Sequence, residues 1–142
     1  MSHRAEESCR IASLTDRGLV RVSGPDAKGF LQGLLTNDMT KTDGGGAIHA
    51  GLLTPQGKIL FDFFVVPDGD GFLIDAPKHS AEALAKRLSF YKLRADVAIA
   101  EEPTLSVAAA WGASPPLRDQ VIAFADPRLE ALGIRMLLPE GA

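Results

Sequence analysis

The chain has 142 residues, 46% of them hydrophobic and 23% charged, proportions that exclude a disordered chain or a charge-rich coiled coil and suit one folding unit over residues 1–142. With 15 Lys plus Arg against 18 Asp plus Glu the formal net charge is -3, without the basic excess needed to grip a phosphate backbone. The single cysteine, Cys9, excludes an internal disulfide and a multi-thiolate metal site, and no run approaches the ~20 apolar residues of a membrane span, so a cytoplasmic protein with no nucleic-acid or membrane partner is expected.

Ile11 to Leu14 and Leu19 to Val22 are short β-prone runs around Thr15-Asp16-Arg17-Gly18, which reads as a hairpin with Gly18 in its turn. Ser23-Gly24-Pro25-Asp26 then announces a helix over Asp26 to Thr36, since Ser or Gly caps it and Pro25 suits its first position. Ala27, Phe30, Leu31, Leu34 and Leu35 give that helix one apolar stripe. Asn37 tolerates a left-handed backbone and ends it, and Gly44-Gly45-Gly46 is loop, with neither the Lys-Ser/Thr of a phosphate loop nor dinucleotide spacing.

Strands follow over Ala47 to Thr54 and Lys58 to Val66, turned antiparallel by Pro55-Gln56-Gly57, and Phe72 to Asp75 completes a meander. A second helix is expected from Ser80, as its cap, to Tyr91, with Leu84 and Leu88 inward and the cations of Tyr91-Lys92-Leu93-Arg94 at the negative end of its dipole. Val97 to Ala100, Leu105 to Ala110, Gln120 to Phe124 and Ile134 to Leu138 read as further strands. Hairpin, helix, three strands, helix, strands is neither a doubly wound nor an all-β order, so the expected fold class is α+β, ferredoxin-like, with two main helices on a mainly antiparallel sheet.

Chemistry concentrates in Lys58-Ile-Leu-Phe-Asp-Phe-Phe-Val-Val66, where Asp62 is the one carboxylate in an apolar strand. Period-2 alternation puts it with Leu60, Phe64 and Val66 on one face, and neither face reads as solvated. Such a carboxylate must be hydrogen-bonded, take up a proton, or line a pocket whose ligand supplies the partner. Asn37-Asp38 at the first helix exit fits a turn in which Asp38 satisfies free backbone amides. His3, His49 and His79 have no metal-ligand spacing, and no Ser-His-Asp or Cys-His constellation can be assembled, so no metal or catalytic residue is assigned.

Gly18-Leu-Val-Arg-Val-Ser-Gly-Pro-Asp-Ala27, Phe30-Leu-Gln-Gly-Leu-Leu-Thr-Asn-Asp38 and His49-Ala-Gly-Leu-Leu-Thr-Pro-Gln-Gly-Lys-Ile-Leu-Phe-Asp62, in that order, resemble the N-terminal part of the YgfZ-like folate-binding proteins. These are relatives of the glycine-cleavage T-protein, a tetrahydrofolate-dependent aminomethyltransferase, and the similarity is strongest over residues 14–97. The resemblance implies tetrahydrofolate as the cofactor, a role in assembling or repairing iron-sulfur clusters, and iron-sulfur client proteins as partners. It places the folate-side carboxylate at Asp62, where the T-protein branch has an Asp doublet. Asp75 in Leu73-Ile-Asp-Ala76 matches a T-protein Asn that helps hold folate, and Asn37 and Asp38 shape the adjoining loop.

Full family members continue into a second half with a Lys-Gly-Cys-Tyr-x-Gly-Gln-Glu signature that this sequence lacks, so a fragment or truncated member is expected. On that reading the chain alone binds folate weakly or not at all and transfers no aminomethyl group, and apolar surface left by the missing half favours self-association. Two other readings stay open: a true aminomethyltransferase, and a non-enzymatic interaction module that kept the fold.

Overall fold

The apolar alternation along the fourth strand has two cores to satisfy. In a computed structural model, which describes residues 9–112, 122–125 and 134–139, the elements run β1 Cys9–Ser13, β2 Arg17–Ser23, α1 Ala27–Leu34, a 3-10 turn Met39–Thr42, β3 Ile48–Leu53, β4 Ile59–Asp68, β5 Gly71–Pro77, α2 Lys78–Tyr91, β6 Ala98–Glu101, β7 Leu105–Gly112, β8 Ile122–Ala125 and β9 Ile134–Pro139. Phe63 and Val65 of β4 pack with Leu31 of α1 and with Leu84 and Leu88 of α2. Phe64 and Val66, one residue out of phase, pack with Leu19, Leu73, Val107, Phe124 and Leu137. A strand buried on both faces reads as a continuous apolar run, which explains the β4 sequence.

Two sheets result, both antiparallel throughout. The larger has the order β3-β4-β5-β2-β6 and the smaller β1-β7-β9-β8. Taken alone, β2-α1-β4-β5-α2-β6 is the ferredoxin-like split unit, with β3 added at the β4 edge. The α+β class with two helices on an antiparallel sheet is therefore found as expected. The second sheet covering the other face is what the element order did not disclose.

The expected β1–β2 hairpin does not form. β1 pairs β7 in the small sheet, whereas β2 pairs β5 and β6 in the large one. Thr15-Asp16 is a crossing between layers, held where Lys78 N–H donates to the Asp16 carbonyl at 2.7 Å. That bond satisfies one of the free amides at the start of α2, which begins two residues before the expected Ser80 cap.

Helix α1 also stops differently. Asn37 keeps a negative φ, because Leu93 is the single non-glycine residue with positive φ among those described. The helix ends when Leu35 turns extended, at φ -92 and ψ 160, and bridges to Leu52 beside β3. Leu31 is fully buried there, while Phe30 and Leu34 are only partly buried against the same core. Two glycines are demanded by close approach. A side chain at Gly24, whose φ is +117, would meet the Asp96 carbonyl at 2.5 Å, and one at Gly71 would meet the Val22 carbonyl at 2.3 Å. Residues 120–121, with which the strand expected over Gln120 to Phe124 begins, lie outside the described residues, as does His3.

Candidate functional site

The hairpin register brings the chemistry together. Across the large sheet His49, Phe64, Asp75 and Leu19 stand in one row, and Gly51 and Asp62 are paired in the next, on the face toward the small sheet. His49 Nε2 lies 3.4 Å from Asp62 Oδ2. The His49 ring is tilted at 59° against Phe64 with centroids 5.3 Å apart, and Phe64 in turn meets Phe124 at 6.1 Å.

Asp62 itself is open. Its side chain is 64% exposed, against a sequence reading that gave it no solvated face. The reason is length: β4 is ten residues long and its first half runs beyond the core shared with the small sheet, so Ile59, Leu60 and Asp62 reach water, Phe61 packs partly against the helix-side core, and Phe63 to Val66 are buried. Alternation identifies a residue's face but not where along the strand the covering layer stops.

Asp75 has the opposite fate. It is fully buried, with Oδ1 accepting from Arg17 Nε at 2.7 Å and Oδ2 from Arg135 Nη1 at 2.9 Å, while Arg17 Nη2 also donates to the Asp75 carbonyl at 2.8 Å. Arg135 comes from β9 and Arg17 from β2, so this triad ties the two sheets together. The Arg135 guanidinium lies 4.6 Å from the Phe64 ring centroid and that of Arg17 5.9 Å. Each Asp75 carboxylate oxygen thus already receives an arginine, and its side chain meets no solvent.

Asn37 and Asp38 are spent locally. Asn37 Nδ2 donates to the His49 carbonyl at 2.9 Å, and its Oδ1 accepts from Asp38 N–H at 2.7 Å, which fastens the loop to β3 beside the His49–Asp62 pair. Asp38 caps the 3-10 turn through Thr40 N–H at 3.0 Å. The Thr40 amide, then its hydroxyl, and then Lys41 and Lys28 hold the Asp38 carboxyl below its ordinary range. Of the four residues singled out from sequence, Asp62 presents an open carboxylate beside a histidine, whereas the exposed Asp38 carboxylate is engaged by its own turn.

Sequence reasoning passed over His49, Arg17 and Arg135 as members of this arrangement. The Pro55-Gln56-Gly57 turn fixes a register from which His49 and Asp62 follow as near neighbours, so that signal was present. Arg135 is the one charged residue of the strand read over Ile134 to Leu138, which says nothing of its partner. The arrangement offers an acceptor-only carboxylate to N–H donors and an imidazole that can exchange a proton. Among the described residues no cluster of His, Cys, Asp and Glu has metal-holding geometry, and no helix is long and apolar enough to cross a membrane.

No family model matches the chain. Individual proteins do. An iron-sulfur cluster assembly factor IBA57 homolog, mitochondrial, of Pyricularia oryzae is 35% identical over 89% of this chain and 35% of its own length. The IBA57 factors of Mus musculus and Homo sapiens, also named mitochondrial, are each 33% identical over 87% of this chain and 41% of theirs. Over most of its length the chain is similar to IBA57 proteins, a YgfZ-like family. It spans little more than a third of the length of these relatives. The fold is similar too: a glycine cleavage system aminomethyltransferase T from Bartonella henselae superposes with TM-score 0.77 at 17% identity, over 93% of this chain and 42% of that one.

These relatives overturn the cytoplasmic expectation, because they are named as mitochondrial proteins. The absence of an apolar run bears on export and membrane insertion and carries no weight against an organelle.

Proposed function

We propose that this YgfZ-like chain takes part in iron-sulfur cluster assembly and carries the folate-side carboxylate of a tetrahydrofolate site, Asp62. The observation that carries the reading is the contrast between two aspartates on one sheet face. Asp75 is closed by Arg17 and Arg135, while the Asp62 side chain is 64% exposed and meets His49 Nε2 at 3.4 Å, which leaves it accessible to a ligand. A reduced pterin offers ring N–H groups, and an ionised carboxylate accepts such donors in preference to other acceptors. The chemistry of the residues present therefore fits the group. When bound, the folate supplies the nitrogens that carry a one-carbon unit; Asp62 binds and orients it, Phe64 backs the site, and the arginine triad keeps the two sheets in register behind it.

The assembly role is supported by the similarity to IBA57 proteins, which are iron-sulfur cluster assembly factors by name, and iron-sulfur client proteins follow as partners of the same reading. The aminomethyltransferase reading is supported by fold likeness alone. Calorimetric titration of tetrahydrofolate into the wild type and Asp62→Asn tests the site, and equal heats from both overturn it. Loss of iron-sulfur enzyme activity in cells lacking the gene, restored by the wild-type gene, is expected for the assembly role. Unchanged activity contradicts that role.

A further inference from the structure

We propose that His49 is the positioning residue of the Asp62 site, its imidazole setting the orientation and the availability of the Asp62 carboxylate according to its own proton. The inference deepens the folate reading and rests on it for its ligand, but the pair itself is argued from geometry.

Three observations converge on the pair. His49 Nε2 lies 3.4 Å from Asp62 Oδ2, an ion-pair distance that is long for a neutral N–H to oxygen bond. The contact therefore gains strength when the imidazole is charged, by an amount that solvent at both side chains screens. The His49 backbone is pinned by the Asn37 amide on its carbonyl at 2.9 Å and by ladder pairing opposite Phe64. The ring is braced by Phe64 at 5.3 Å, so its reach toward Asp62 is set by buried structure and not by a free rotor. Both side chains still meet water, at 37% and 64% exposure, which a group that exchanges protons and receives a ligand requires.

The charged groups around His49 can be named. Asp62 faces it from β4. The Phe64 ring beside it carries the Arg135 and Arg17 guanidiniums, whose charge is met in part by Asp75. Histidines generally change charge between pH 5 and 8. When charged, the imidazolium holds the carboxylate and competes with a ligand donor. When neutral, it releases the carboxylate to the ligand, so tetrahydrofolate affinity should fall on acidification.

The test uses the 142-residue chain and reads the Asp62 Cγ resonance by carbon-13 NMR from pH 5 to 8. In the wild type that resonance should follow the titration of His49, and in His49→Gln, which keeps an N–H donor but cannot titrate, the inflection should vanish. A wild-type resonance that stays flat overturns the inference. A second arm measures the tetrahydrofolate dissociation constant at pH 6 and pH 8. Wild type should lose several-fold affinity at pH 6 relative to His49→Gln, and equal ratios in the two proteins count against the proposal. If Cγ titrates with His49 but tetrahydrofolate binds neither protein, the folate reading has failed and the pair stands. If tetrahydrofolate binds while Cγ is flat, the pair has failed and the folate reading stands.

Discussion

Asp75 and Asp62 lie on neighbouring strands and have identical side chains, yet they do opposite work. Removing the buried carboxylate leaves two guanidiniums facing each other without an anion, which is the costly way to break a buried ion network. Asp75→Ala should lose roughly 3 to 5 kcal/mol in chemical denaturation, and a loss under 1 kcal/mol would show that the triad does not clamp the sheets. Asp62→Asn at the exposed strand end should leave the midpoint of unfolding nearly unchanged. Asp38 gives a pH prediction. Its carboxyl is held below its ordinary range mainly by the Thr40 amide, so the folded state favours the ion. That contribution is complete above the unfolded-state value and is lost as pH falls below about 4. Asp38→Asn should therefore flatten the acid limb of the stability curve, as read by urea melts between pH 2.5 and 6, and an unchanged limb would count against the cap. The sequence made Asp62 conspicuous and gave its sheet face correctly. It could not reveal that β4 outruns its cover, because exposure depends on where other elements end. Nor could it distinguish Asp75, since both of its arginines approach from other strands, Arg17 on β2 and Arg135 sixty positions away on β9.

At the level of elements, the apolar stripe of α1 was legible but its depth was not. Leu31 is sealed under β4, whereas Leu34 sits at the rim of the core. Leu31→Ala should cost about 2 to 5 kcal/mol and Leu34→Ala clearly less. Equal losses in paired denaturation curves would contradict this placement. Both helices and the β3–β4–β5 meander followed from periodicity and turn residues, since these elements are closed by local chemistry. The β1–β2 hairpin misled because Thr15-Asp16-Arg17-Gly18 carries turn residues without a turn type that commits the flanking runs to each other. β1 then found β7, nearly a hundred residues away, and short β-prone runs do not announce such partners. At the β4–β5 turn the demand is explicit. Gly71→Ala places a methyl against the Val22 carbonyl and the Ser23 Cα, neither of which is a flexible side-chain end. A loss of about 1 to 3 kcal/mol is expected, and a neutral thermal melt would mean that the β2–β5 register yields more easily than the geometry allows.

The described residues form a layer of helices, a five-stranded sheet and a second sheet, with the tip of the β3–β4 hairpin left uncovered. At its tip Leu53, Ile59 and Leu60 are exposed, Ile59 by 69%. Exposed apolar residues grouped on one projecting hairpin favour association. Sedimentation velocity should show self-association that rises with concentration and is reduced by Ile59→Lys; a monomer unaffected by the substitution would contradict this. The same hairpin carries His49 and Asp62, so this exposed stretch also holds open chemistry. The most direct measurement of that claim is chemical-shift mapping of tetrahydrofolate onto the chain, which detects weak binding as well as strong. The account predicts shifts centred on His49, Gly51 and Asp62 that disappear in Asp62→Asn, and shifts located elsewhere, or retained by that variant, would contradict it.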